Sequence, residues 1–201
     1  MRSAVLKRTI DVAVSAGALV VAALPMGVIA LAIRRSMGRP VLFRQERPGL
    51  DGRPFELVKF RTMRDGDGPD GARLTPLGRL LRATSLDELP ELWNVLRGDL
   101  TLVGPRPLLP RYLDRYSPTQ ARRHEVRPGL TGLAQVHGRN ATTWDERLAL
   151  DVTYVDTWTN GGDLRILART AWQVLRREGI SAEGHATMPE FLGSTAPTTT
   201  P

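Results

Sequence analysis

The chain has 201 residues with 28 Lys and Arg against 21 Asp and Glu, a formal charge of +7 and a sequence pI of about 10.8. The absence of cysteine excludes disulfides and thiolate metal sites, and three scattered histidines, His124, His137 and His185, lack the spacing of zinc ligands. So basic a chain faces an acidic partner, and four Phe and three Tyr are few for stacking on bases, so lipid headgroups or a phosphate substrate are expected rather than nucleic acid.

An apolar run from Val12 to Ile33 comes first, flanked by Arg2, Lys7 and Arg8 before it and by Arg34, Arg35 and Arg39 after it. At about 1.5 Å per residue it is long enough to cross the hydrocarbon core. It is too long for a secretory signal, and it runs into arginines instead of a small-residue cleavage site. Balanced flanks give no inside preference, so both ends read as cytoplasmic. Pro25 removes a backbone bond past the middle of the run and is expected to kink it. A re-entrant membrane helix fits best; a kinked crossing helix and a soluble core helix are the alternatives.

Two β-prone runs, 41–45 and 55–60, flank the turn residues 48–52 and predict a hairpin. Lys59 and Arg61 alternate with Phe60 on its second strand, so both cations share a face, either solvated or phosphate-binding. A Gly- and Asp-rich loop covers 65–71. Thr75-Pro76 then reads as a cap and first helical residue of a short basic helix, 77–82.

The stretch from Ser85 to Asn94 is the most informative. Ser85 and Glu88 have capping-box spacing, which would occupy both acids in starting a helix. With Asp87 as cap instead, Pro90 falls where no intrahelical partner is needed. Leu89, Leu92, Trp93 and Leu96 form the apolar face of that helix. After the turn at Gly98-Asp99, Leu100 to Val103 lead into Gly104-Pro105-Arg106-Pro107, where two prolines hold Arg106 on a stiff backbone suited to a phosphate or carboxylate, or simply to a connector.

Ser117-Pro118 opens another helix carrying Arg122 and Arg123, ended by 127–132. Gly138-Arg139-Asn140 allow close backbone approach and a phosphate site, though such loops are also merely loops. Thr143 and Glu146 form a second capping box, for a helix to about Trp158. Gly161-Gly162-Asp163 are expected to cap a last helix with the stripe Leu164, Leu167, Ala168, Ala171, Trp172 and Leu175, bordered by Arg165, Arg169 and Arg176. Such a helix lies in the membrane plane or packs on the core. The tail 193–201 is low-complexity and expected to be disordered. The expected architecture is α+β and mostly helical: a membrane anchor over 1–39, a cytoplasmic domain over 40–192 built on the hairpin and interfacial amphipathic helices, and the tail.

Lys7-Arg8, the motif from Phe43 to Gly49, Lys59 to Met63, Ser85 to Pro90, Val103 to Pro107, Arg127 to Gly132 and Gly138 to Asn140 occur together and in order. The set resembles the bacterial sugar transferase family, the small monotopic polyprenyl-phosphate phosphoglycosyl transferases, over nearly the whole chain and without the multi-span domain of larger members. The resemblance implies transfer of a sugar 1-phosphate from a UDP-sugar to undecaprenyl phosphate on the cytoplasmic face of the membrane, with UMP released, at the first membrane step of glycoconjugate assembly, upstream of further glycosyltransferases. It implies that Asp87 of the Asp87-Glu88 dyad is the nucleophile of a covalent phosphosugar intermediate and a Mg²⁺ ligand. Lys59, Arg61, Arg106, Arg139 and Asn140 are the candidates for the substrate site. Family members often carry Ser-Pro at the helix break where this chain has Leu24-Pro25. Similarity of the C-terminal third to initiators of protein glycosylation implies an N-acetylated amino sugar. Two other classes stand against the enzyme, a lipid-binding scaffold without catalysis and a membrane-tethered nucleic-acid binder, and within enzymes the alternative is a glycosyl transferase that releases UDP.

Overall fold

The computed structural model describes residues 2–137, 142–176 and 190–193. It is mostly helical with short strands, and its first element is one long apolar helix, α1, Ala4–Met37. Ser3 caps it by accepting from the Leu6 amide, and the helix continues through Pro25. Burial along α1 follows one stripe, through Asp11, Ser15, Ala18, Leu19, Met26, Ile29, Ala30 and Ile33. The opposite face is exposed yet equally apolar, with Val20, Val21 and Leu24 each more than three-quarters accessible.

Both ends of α1 are tied to the rest of the fold. At the start, Lys7 donates to the Val103 carbonyl at 2.8 Å and to Asp163 at 2.6 Å, and Arg8 donates to the Val95 and Leu96 carbonyls. Buried Asp11 accepts from the Thr101 hydroxyl at 2.6 Å and the Leu102 amide at 3.0 Å. At the other end the Arg61 guanidinium donates to the carbonyls of Met37 and Gly38, where the negative end of the helix dipole favours a cation.

The hairpin forms as expected but with longer strands. β1 (Leu42–Pro48) and β2 (Pro54–Phe60) run antiparallel, with Leu42 opposite Phe60 and Pro48 opposite Pro54. The Gly- and Asp-rich loop holds a single helical turn, α2 (Asp70–Arg73), and α3 (Pro76–Ala83) starts as expected with Thr75 accepting from the Gly78 amide. Gly78 has no alternative, because a Cβ there would lie 1.9 Å from the Thr62 carbonyl oxygen.

Neither reading of a cap at 85–90 holds. Ser85 adopts a left-handed conformation with φ 56° and no capping bond, Leu86–Glu88 form a 3₁₀ turn, and α4 (Glu91–Arg97) follows Pro90. Fully buried Asn94 joins α4 to the hairpin: its carbonyl oxygen accepts from the Val58 amide at 3.1 Å, and its amide donates to the Glu56 carbonyl at 2.7 Å.

β3 (Thr101–Val103) pairs in parallel with β4 (Gly129–Thr131), which the sequence reading treated only as a helix terminator. Between them α5 (Pro118–Ala121) has its own capping box, Ser117 with Gln120, and then tightens to a 3₁₀ turn over Arg122–Glu125. After β4 come the short α6 (Leu133–His137) and α7 (Trp144–Thr157), the latter opened by the expected Thr143–Glu146 box.

The last helix, α8 (Asn160–Arg176), begins before the glycines expected to cap it, and Asp163 is turned inward to Lys7 and the Tyr154 hydroxyl. Its core contact runs through Ile166 and Leu167, so most of the expected stripe, Leu164, Ala168, Ala171 and Trp172, is exposed. The main core joins Leu57, Leu92, Val95, Leu100, Leu102, Tyr154 and Ile166, and a second cluster seats Phe191 among Leu108, Tyr112 and Leu148.

Candidate active site

β2, the turn before α4 and the Gly104-to-Pro107 segment converge on a cavity of about 810 Å³ lined by Lys59, Arg61, Arg82, Asp87, Glu88 and Arg106 among others. Asn94 sets this convergence locally. By bonding to β2 on both sides of Leu57 it fixes α4 against the strand, which brings Lys59 to the acids of the following segment. Arg106 is placed from beneath. Gly104 and Gly129 meet backbone to backbone, where a Cβ on Gly129 would lie 2.1 Å from the Gly104 nitrogen. The Arg106 carbonyl accepts at 2.6 Å from Arg123, which is itself paired with Asp151 at 2.7 Å in the interior.

The two adjacent acids have different environments. Glu88 stands 3.0 Å from the Lys59 ammonium and 2.5 Å from the Arg106 guanidinium. Burial alone would raise its carboxyl, but the charges and hydrogen bonds of Arg106 and then Lys59 hold it well below the usual range. Asp87 is buried, faces the cavity and makes no hydrogen bond or ion pair among the described residues. Burial, and then the charge of Glu88, push its carboxyl up, against the pull of Lys59, Arg82 and Arg106. A carboxylate without a protein partner, held beside fixed cations, is available to a phosphorus atom or a metal ion. One already bonded to two cations is a scaffold for them.

Five of the residues expected at a substrate site, Lys59, Arg61, Asp87, Glu88 and Arg106, line this one cavity. Arg61 does so with its guanidinium turned to the end of α1 and to Asp65 at 2.9 Å, which leaves it a structural clamp on the cavity wall. Arg139 and Asn140 lie outside the described residues.

Sequence reasoning missed Glu91. It is 2% exposed and stands 2.8 Å from Lys59, so this lysine bridges two carboxylates. Burial pushes Glu91 up to about 7, with Lys59 opposing and Glu88 adding. Its spacing from Glu88, one turn along a helix, was the available signal. Arg47, within the hairpin motif, was also overlooked and lines the same cavity.

The whole arrangement falls within a match to the family model described as bacterial sugar transferase, over residues 2–177. Among curated relatives, the uncharacterized sugar transferase EpsL of Bacillus subtilis is 56% identical over 168 residues, covering 81% of this chain and 83% of its own. A UDP-glucose:undecaprenyl-phosphate glucose-1-phosphate transferase of Caulobacter vibrioides is 46% identical, covering 84% of this chain and 69% of its own. An undecaprenyl-phosphate galactose phosphotransferase of Salmonella typhimurium is 38% identical, and this chain spans 41% of that longer protein. The chain belongs to the bacterial sugar transferase family.

Proposed function

We propose that this protein transfers a sugar 1-phosphate from a UDP-sugar to undecaprenyl phosphate and releases UMP. The observation that carries the reading is the split dyad: an unpartnered Asp87 facing a cavity whose cations, Lys59 and Arg106, are held in place by Glu88. The names of the Caulobacter and Salmonella relatives support the same substrate classes.

In the first step an Asp87 carboxylate oxygen bonds to the phosphorus that carries the sugar. The bond from that phosphorus to the bridging oxygen breaks, and its electron pair leaves with the nucleotide phosphate as UMP. In the second step an oxygen of the acceptor phosphate attacks the same phosphorus, the bond to Asp87 breaks, and the carboxylate is restored with a lipid-linked diphosphate as product. Such transfer depends on positioning and charge neutralisation, which Lys59 and Arg106 supply.

Mg²⁺ fits this donor set. It is commonly held by one or two carboxylates together with substrate phosphates, and Asp87 offers the carboxylate. Among the described residues no group of three or more His, Asp or Glu forms a cluster that could hold a metal ion, so phosphate oxygens and water would complete its shell. When bound, the ion supplies charge neutralisation at the phosphates.

For the membrane, the reading is that α1 enters the bilayer without crossing it and that α8 lies at the surface. What supports it is that residues at both ends of α1 bond to the same domain, whereas a crossing helix puts its ends on opposite sides. The apolar face between those ends is open, as is the stripe of Leu164 and Trp172 on α8, with Arg176 over the Trp172 ring at 4.1 Å. The cytoplasmic face is the one where UDP-sugars are available. For the sugar, the relatives' names are of glucose and galactose, so a neutral hexose comes ahead of the N-acetylated amino sugar.

The test is nucleotide release. Purified protein with undecaprenyl phosphate and Mg²⁺ is expected to release UMP from UDP-glucose or UDP-galactose in a panel that includes UDP-N-acetylated amino sugars. UDP as the sole nucleotide product would replace the reading with direct glycosyl transfer.

A further inference from the structure

Between α6, the end of α7 and α8 lies a groove that shares no lining residue with the cavity of the dyad. It holds about 300 Å³; Leu133, Val136, Trp158 and Ile166 give it apolar walls, and Arg165 and Arg169 of α8 line it too. The two arginines are exposed and stand one turn apart on the same face of the helix. At about 100° per residue, the exposed stripe of Leu164, Ala168 and Trp172 lies to one side of them and buried Ile166 to the other.

Neither guanidinium has a hydrogen bond or an ion pair among the described residues. Like charges four residues apart on a helix repel each other. The carboxylate of Asp163 also lines the groove, but it is already engaged: one oxygen stands 2.6 Å from Lys7, and the other accepts from the Tyr154 hydroxyl at 2.9 Å. No other Asp or Glu is among the described lining residues. Two cations without a counter-charge thus stand over apolar walls, at the border of an open apolar stripe.

We propose that this groove binds the phosphate of an anionic bilayer phospholipid such as phosphatidylglycerol, with Arg165 and Arg169 as its ligands and the apolar walls against the glycerol and upper acyl chain. The inference rests on the reading above that α8 lies at the membrane surface. The stripe then enters the acyl region, and the arginine border falls at the level of the headgroups. An anionic headgroup relieves the repulsion between the arginines, whereas a zwitterionic one brings a cation of its own. The occupant is a lipid of the bilayer and not the polyprenyl acceptor, because the acceptor's phosphate has to reach Asp87 in a cavity built from other residues. A soluble phosphate gains nothing from the apolar walls. The lipid gives the domain a second hold on the bilayer, on the helix that Asp163 ties to Lys7 of α1.

The test is calorimetric titration of the full chain in a neutral detergent. The ligands are dihexanoyl phosphatidylglycerol, dihexanoyl phosphatidylcholine, glycerol 3-phosphate and a short-chain polyprenyl phosphate. Arg165→Gln, Arg169→Gln and Arg176→Gln are run beside the wild type, each with a thermal melt to establish folding. Arg176 borders the same stripe without lining the groove, so its substitution removes an equal charge from the same helix. The wild type is expected to bind phosphatidylglycerol about tenfold more tightly than phosphatidylcholine or glycerol 3-phosphate. Arg165→Gln and Arg169→Gln each lose about tenfold, the worth of one hydrogen bond to a charged group, while Arg176→Gln loses nothing and polyprenyl phosphate affinity stays unchanged in all three. Folded Arg165→Gln and Arg169→Gln with wild-type affinity for phosphatidylglycerol would overturn the assignment. So would an equal loss in Arg176→Gln, which means diffuse charge, or glycerol 3-phosphate binding as tightly as the lipid, which means a soluble phosphate. A loss confined to polyprenyl phosphate would give the groove to the acceptor. In this cysteine-free chain, Ala168→Cys carrying an environment-sensitive dye reports whether the stripe enters phosphatidylglycerol vesicles. If the dye leaves water and the groove variants still bind the lipid normally, this inference alone fails; if the dye stays in water, the underlying surface reading fails.

Discussion

The Glu88 carboxylate accepts from the Arg106 guanidinium at 2.5 Å, across a gap of 18 residues, and the same oxygen stands 3.0 Å from Lys59. Glu88 is thereby the joint between the hairpin, which carries Lys59, and the rigid segment that carries Arg106. Glu88→Gln keeps the shape and removes the charge, so Arg106 loses its anchor and Lys59 is left with Glu91 alone. The expected result is a fall in kcat for UMP release of about 10²–10³-fold, the scale of losing a transition-state contact. Adduct formation at Asp87 continues, slowed, which separates a positioning role from that of the nucleophile.

Glu91 gives a pH signature in stability. Its carboxyl is raised from 4.5 to about 7 in the fold, first by burial. The native state therefore holds a proton that the unfolded chain releases, and stability falls as pH rises between these values. Glu91→Gln is expected to flatten that decline by about 3 kcal/mol. Urea melts of the two proteins across pH 4.5 to pH 7.5 check it.

The pair of Arg123 and Asp151 is the support under Arg106. Both side chains are nearly inaccessible, and burial, opposed by Arg123, raises the Asp151 carboxyl. Asp151→Asn leaves a buried cation without its counter-charge, and a loss of about 3–5 kcal/mol is expected. Because Arg123 also holds the Arg106 carbonyl, activity falls with stability. A double substitution that replaces both partners with apolar residues is expected to recover most of the stability and little of the activity.

Much of the local structure was legible in the sequence. Turn residues between β-prone runs marked the hairpin, Thr75-Pro76 marked the start of α3, and Thr143 with Glu146 marked that of α7. The spacing that worked at Thr143 failed at Ser85, because Glu88 finds two cations from distant segments and Ser85 takes a left-handed turn. Local spacing cannot register a partner 29 residues upstream. The same limit hid the parallel pairing of β3 with β4, and the use of Asp11, an acid before an apolar run, to hold β3. Lys59 and Arg61 both line the cavity, but so does Phe60 between them, and β2 ends at Phe60, so strand alternation could not say that Arg61 turns to the end of α1.

The lack of cysteine makes membrane topology directly measurable. Single substitutions Ser3→Cys and Ser36→Cys sit at the two ends of α1. Both are expected to react with a membrane-impermeant maleimide in inverted vesicles and to resist it in intact spheroplasts. Labelling of one end from each side would mean a crossing helix.

The most direct measurement is a single turnover with a UDP-sugar labelled in the phosphate next to the sugar, without acceptor, followed by quenching and protein mass analysis. The account predicts a phosphosugar adduct on Asp87 in the wild type, stoichiometric UMP, and neither in Asp87→Asn. An active wild type that never carries the label, or an adduct of equal yield in Asp87→Asn, would contradict it.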